Sequence, residues 1–107
     1  MKRYFVYILL CSDNSYYVGM TNDLDRRFNE HQSGFYPQGF TFSRRPVRLA
    51  WFTDFGSKDQ AFSFERQLKG WSRRKKKALI EGRIGALKYF SRSAEGMQRR
   101  RNRGKLG

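Results

Sequence analysis

The chain has 107 residues, with 23 Lys+Arg against 9 Asp+Glu and a formal net charge of +14. A length of this order supports one compact domain with one core, and 38% hydrophobic with 17% aromatic residues excludes a polar disordered chain. No apolar run approaches the roughly 18 residues that a bilayer span needs, and the single Cys11 rules out an intramolecular disulfide.

Tyr4 to Leu10 is a nearly continuous apolar run, which suits a central strand covered on both faces. Residues 11–15 form a polar turn, and Tyr16 to Met20 reads as the returning strand of a hairpin. Thr21, Asn22 and Asp23 offer N-caps for a helix from about Leu24 to Gln32, with Gly34 at its C′ position. Residues 35–45 hold Pro37, Gly39 and several aromatics and read as a loop. Val47 to Phe52 alternates as a third strand, with Val47, Leu49 and Trp51 expected on one face. Ser57 to Gln60 is a capping box opening a helix to about Lys69 that Gly70 ends. Ser72 caps a third helix through about Glu81.

The order is therefore β-β-α-β-α-α. An initial hairpin implies an antiparallel sheet, so within the broad α/β class the layout is α+β and not doubly wound. The body is expected over residues 1–90, carrying +9, and a flexible basic arm over residues 91–107, carrying +5.

Chemistry-bearing residues cluster on these elements. Tyr7 and Tyr17 lie on the two hairpin strands, where any even register sum puts both on one face; strand tyrosines also serve packing alone. On the first helix Leu24, Arg27, Phe28 and His31 share one face. Arg27 and His31 are thus carried toward the sheet, while Arg26 and Glu30 fall on another face and can pair with each other. A guanidinium on an apolar stripe needs a partner, either a carboxylate or a phosphate that its planar fork matches. Glu65 borders the apolar stripe Ala61, Phe64, Leu68 and Trp71 of the second helix. A carboxylate so placed can bind Mg²⁺, which keeps several waters and needs few protein ligands, or it can form an ordinary ion pair with Arg66 or Lys69.

Phe5-Val6-Tyr7, Tyr17-Val18-Gly19, Arg27, His31 and the helical Glu65, in that order, resemble the GIY-YIG nuclease superfamily over roughly residues 3–80. The similarity is strongest to its small stand-alone bacterial members and extends to the nuclease domain of the excision-repair excinuclease. Phe5 stands where the name pattern has glycine, and Met20 where some repair-type members have lysine. The resemblance implies a three-stranded antiparallel sheet flanked by three helices, and endonucleolytic hydrolysis of a phosphodiester with one divalent metal, Mg²⁺ or Mn²⁺. In the implied roles Tyr17 assists deprotonation of the attacking water and Tyr7 lines and orients that site. Arg27 stabilises developing charge on the phosphate, Glu65 holds the metal, and His31 supports the base or a proton relay.

The positive charge points independently to a polyanion, nucleic acid ahead of an anionic membrane surface or an acidic protein. Arg73, Arg74, Lys75, Lys76 and Lys77 open the third helix, where cations oppose the macrodipole, so phosphate docking explains them better than stability does. Arg44, Arg45, Arg48 and Lys69 are further candidate phosphate contacts. Phe40 and Phe42, near the first three, either stack on unpaired bases or fold back on the core. The expected protein is a cytoplasmic endonuclease, a monomer by default, acting on nucleic acid, DNA in preference to RNA, in a branched, damaged or single-stranded form. The alternative is a nucleic-acid-binding module of the same fold with little or no turnover.

Overall fold

The computed structural model describes residues 2–83, which fall into two compact units, one running to Trp71 and the other beginning at Ser72. The basic stretch 91–107, expected as an arm, lies outside the described residues.

In the first unit β1 (Tyr4–Leu10), β2 (Tyr16–Thr21) and β3 (Arg48–Phe55) form an antiparallel sheet in the order β2-β1-β3. β1 is the central strand, as its unbroken apolar run requires: Val6, Tyr7, Ile8 and Leu9 are all buried. Alternate residues of β1 serve opposite faces. Tyr7, Leu9 and Cys11 join Val47 in one core cluster, against which Leu24 and Phe28 of α1 (Leu24–Ser33) pack. On the other face Phe64 of α2 (Lys58–Lys69) meets Trp51 at 6.1 Å and Phe55 at 5.8 Å between ring centroids. The sheet thus separates α1 from α2.

One expectation about β3 fails. Ile8 opposes Trp51 but Leu9 opposes Leu49, so Ala50 is an extra residue in the strand. This bulge reverses the alternation. Leu49 faces the α1 side with Leu9, while Trp51 turns to the α2 side, so Val47, Leu49 and Trp51 do not share a face.

The helix ends follow their sequence signals. Asp23 accepts the Arg26 amide at 3.1 Å, Ser57 accepts that of Gln60 at 3.3 Å, and Gly34 closes α1 at φ 79°, a left-handed conformation suited to glycine. Residues 35–45 are irregular apart from one 3-10 turn, Phe42–Arg44.

The second unit holds α3 (Arg73–Ile80), whose cap Ser72 accepts the Lys75 amide at 3.1 Å. The completed element order is β-β-α-β-α-α, as expected.

Candidate active site

The even register sum is realised. Tyr7 lies directly opposite Gly19 and Leu9 opposite Tyr17, so both tyrosines project toward α1. Their rings stand 6.4 Å apart between centroids. The Tyr17-Val18-Gly19 spacing has a steric meaning that periodicity alone does not convey: a Cβ at Gly19 would land on the Tyr7 phenol and lie 3.1 Å from Tyr17 Cε2. The missing side chain is the space into which the Tyr7 ring leans.

α1 brings two of its stripe residues to that ring. His31 is buried, and its Nε2 is 3.0 Å from the Tyr7 hydroxyl while its Nδ1 is 2.8 Å from Thr41 Oγ1. Burial first, and then the nearby Arg27 charge, lowers the His31 pKa from 6.5, so the ring is neutral at pH 7. A neutral imidazole has one donor and one acceptor. The Arg27 guanidinium also acts on the Tyr7 phenol, favouring its ionised form. Tyr7, His31 and Thr41 thus form one hydrogen-bonded chain, and in the arrangement that uses the phenol proton Tyr7 donates to His31 Nε2 and His31 Nδ1–H donates to Thr41. Burial, reinforced by Tyr17, pushes the Tyr7 phenol well above its ordinary value, so it stays protonated and its proton stays in that chain.

Arg27 is half-buried, and its Nε donates to Glu30 Oε1 at 3.1 Å. Arg26, which could pair with Glu30, makes its ion pair with Asp23 at 3.7 Å, although its charge still acts on Glu30. Glu30 has a second partner, the Tyr36 hydroxyl, which donates to the same oxygen at 2.6 Å. That bond is the main reason the Glu30 carboxyl lies below its usual range. Desolvation opposes the Arg27 charge, yet Tyr36, Tyr7 and Glu30 together outweigh it and raise the guanidinium pKa. Sequence reasoning misses Glu30, Tyr36 and Thr41 as members of the site. Glu30 sits three residues after Arg27, a spacing that permits the pair; Tyr36 and Thr41 carry no local signal, because the loop fold alone delivers them.

That loop forms one wall of the site. Phe40 stacks on Tyr17 at 5.9 Å and 24°, and Tyr17 meets the edge of His31 at 5.0 Å. The Arg44 guanidinium lies 3.8 Å over the Phe40 ring and also donates to Asp13 at 3.1 Å, while Arg45 lies 4.4 Å over Phe42.

Glu65 comes from the other layer. Its side chain is 13% exposed and pairs with Lys69 at 3.3 Å, the ordinary ion pair that sequence left open beside the metal role. Tyr7, Tyr17, Arg27 and His31 thus form one interacting cluster, whereas the charged partner of Glu65 among the described residues is Lys69, outside that cluster. The described residues contain no group of three or more His, Cys, Asp or Glu side chains able to hold a metal by themselves. A single carboxylate fits a hard cation such as Mg²⁺, which keeps several waters and shares substrate phosphate oxygens. It does not fit a metal needing an all-protein cage.

Among the other candidate phosphate contacts, Arg48 begins β3 opposite Leu10 and is exposed. Arg73, Arg74, Lys75, Lys76 and Lys77 are the first five residues of α3 in the second unit.

Residues 3–78 match the family model described as the GIY-YIG catalytic domain. A UPF0213 protein of Limosilactobacillus reuteri is 38% identical over 92 residues, spanning 81% of this chain and 93% of the relative. One from Halalkalibacterium halodurans is 44% identical over 78 residues, spanning 73% and 82%. The solution NMR structure of the UPF0213 protein BH0048 from Bacillus halodurans shares 39% identity at a TM-score of 0.50, covering 84% of this chain and 95% of that one. That of the protein EF2693 from E. faecalis shares 26% identity at a TM-score of 0.53 and covers 97% of each chain.

Proposed function

This chain belongs to the GIY-YIG family, and from that premise we propose that it is a divalent-metal-dependent endonuclease that hydrolyses phosphodiester bonds in nucleic acid, DNA in preference to RNA. The observation that carries the reading is the hydrogen-bond chain Tyr7–His31–Thr41, with Tyr17 packed beside it and Arg27, on the same helix as His31, held by Glu30.

Each residue's part follows from its environment. Arg27 has five donors and gives one to Glu30, so its fork retains donors for a phosphate oxygen. Glu30 and Tyr36 fix that fork in place, and preorganised positive charge is effective where negative charge develops in the transition state. Tyr7 is an orienting group, because its proton is committed to His31 and burial opposes its ionisation. Tyr17 is the half-buried phenol of the pair and is assigned to the attacking water. His31, neutral and held at both nitrogens, fixes the Tyr7 hydroxyl and offers a proton path to Thr41. Glu65 is the residue that would hold the metal. When bound, a divalent cation supplies charge stabilisation at the phosphate and leaving oxygen. Arg44, Arg45, Arg48, Lys69 and the Arg73–Lys77 run are assigned to phosphate contacts outside the reacting centre, of the kind that position nucleic acid without reading its sequence.

A second reading, nucleic-acid binding without turnover, is favoured by the Glu65–Lys69 ion pair, which engages the only carboxylate assigned to the metal. Cleavage of a panel of branched, single-stranded and duplex DNA and RNA with Mg²⁺ or Mn²⁺ separates the two. Turnover by the wild type that Glu65→Ala abolishes supports the nuclease. Binding with no turnover on any substrate supports the module, and cleavage indifferent to Glu65→Ala indicates a contaminating nuclease.

A further inference from the structure

Resting on the nuclease reading and naming its substrate class, we infer that the Arg44–Phe40 stack is a platform for an unpaired nucleobase, so that the site takes nucleic acid single-stranded beside the cleaved phosphate. The segment after α1 carries an unusual load of exposed aromatic surface. Phe35 is 62% exposed, Phe40 43% and Phe42 36%, although burying a phenylalanine is worth about 1.5–3 kcal/mol. These rings are not merely unburied. Aromatic contacts run from Phe35 to Tyr36 at 5.0 Å, from Tyr36 to His31 at 5.7 Å, from His31 to Tyr17 at 5.0 Å and from Tyr17 to Phe40 at 5.9 Å. The reacting cluster therefore sits inside a row of rings whose two ends face solvent.

At the Phe40 end the row finishes in a planar cation. Arg44 lies over the ring at 3.8 Å, donates from Nη1 to the Phe40 carbonyl at 2.8 Å, and donates from Nε to Asp13 at 3.1 Å. Ser15, through its hydroxyl and its amide, holds Asp13 in turn. A surface arginine used only for solubility has no need of three such restraints. Here they keep a guanidinium plane on an aromatic plane with 34% of the side chain still exposed. Nucleobases stack on aromatic rings and on arginine planes, with the cation adding attraction for the nearby phosphate. In a duplex both faces of each base are occupied by its neighbours, so only an unpaired base can use such a plane. Phe42 with Arg45 at 4.4 Å repeats the pairing two residues on.

The test is equilibrium binding by the full chain in EDTA, so that cleavage does not intervene. The probes are a fluorescent single-stranded oligonucleotide, the blunt duplex of the same length, and a fully abasic strand that keeps every phosphate. We expect the single strand to bind tighter than the abasic strand and the duplex. Losing one base–aromatic stack corresponds to about 5- to 150-fold in affinity. Phe40→Leu should lower single-strand affinity by a factor in that range and leave abasic-strand affinity unchanged, and Arg44→Lys, which keeps the charge but loses the plane, should lower single-strand affinity more than abasic-strand affinity. 2-Aminopurine in the strand should be quenched on binding to the wild type, a readout needing no variant. Equal affinity for the single and abasic strands, or no quenching, overturns the platform. So does an equal loss on all three probes in both variants. Cleavage by the wild type in Mn²⁺ is scored separately: discrimination without cleavage withdraws the nuclease and keeps the platform, and cleavage without discrimination does the reverse.

Discussion

Replacing Gly19 by alanine tests the steric meaning of the Tyr-x-Gly spacing directly. The new methyl would fall on the Tyr7 phenol and 3.1 Å from Tyr17 Cε2. Tyr7 has little room to yield, because it is 1% exposed and its hydroxyl is bonded to His31 at 3.0 Å. Overpacking a close-packed core costs about 1–3 kcal/mol. Alanine recovers roughly 0.5–1 kcal/mol of the backbone entropy that glycine loses in a strand. The net expectation is about 0–2.5 kcal/mol of destabilisation if the Tyr7–His31 bond survives. Should the hydroxyl be driven off His31, the orphaned buried nitrogen adds about 1–3 kcal/mol. For a domain of this size each kcal/mol lowers Tm by roughly 4–8 °C. Urea denaturation measures the stability, and the His31 side-chain resonances in NMR report whether the bond is kept. Nuclease turnover should fall while affinity for nucleic acid, measured in EDTA, changes little. Stability above the wild type, with unchanged His31 resonances, would refute the idea that the glycine makes room for Tyr7.

Three other substitutions probe the same cluster. Tyr17→Phe removes the hydroxyl assigned to the attacking water and keeps the ring against His31 and Phe40, so kcat should drop by about 100-fold, the lower end of general-base effects, with binding retained; full turnover in this variant would transfer that role elsewhere. Glu30→Gln keeps the shape of the Arg27 restraint and removes its charge, so kcat should fall more than KM rises, and an increase confined to KM would make Glu30 a simple binding residue. His31 has a folded pKa below the unfolded 6.5, so the unfolded chain takes up its proton first as the solution is acidified. Its contribution is present above pH 6.5 and is lost as pH falls through the folded value. Stability should therefore decline on that side in the wild type, and His31→Gln should flatten the decline; an identical slope in both proteins would assign it to other groups, such as Glu30.

Local signals in the chain suffice for everything that depends on a few neighbouring residues. Asp23, Ser57 and Ser72 cap their helices because a short oxygen-bearing side chain satisfies an amide three residues on, and Gly34 ends α1 because only a residue free of Cβ strain adopts φ 79° cheaply. The unbroken apolar run of β1 marks a strand covered on both faces, and period-two geometry puts Tyr7 and Tyr17 together once the register is even. Helical period places Arg27 and His31 on the sheet side of α1.

The choices made by contacts distant in sequence are not displayed in the chain. The extra residue at Ala50 turns Trp51 to the α2 side, since a bulge is set by how β3 accommodates β1 and not by its own alternation. Glu30 pairs with Arg27, and Tyr36, brought back by the loop, donates to the same carboxylate oxygen. Thr41 completes the His31 chain from ten residues away. Glu65 shows the limit most plainly. Its position at the margin of an apolar stripe is legible, but whether that margin meets a lysine or a phosphate-bound metal depends on what the folded layers place opposite it. Composition announces a basic chain able to hold a polyanion; the tertiary structure decides which cations are taken up by rings and carboxylates, and which one is held beside two tyrosines and a neutral histidine.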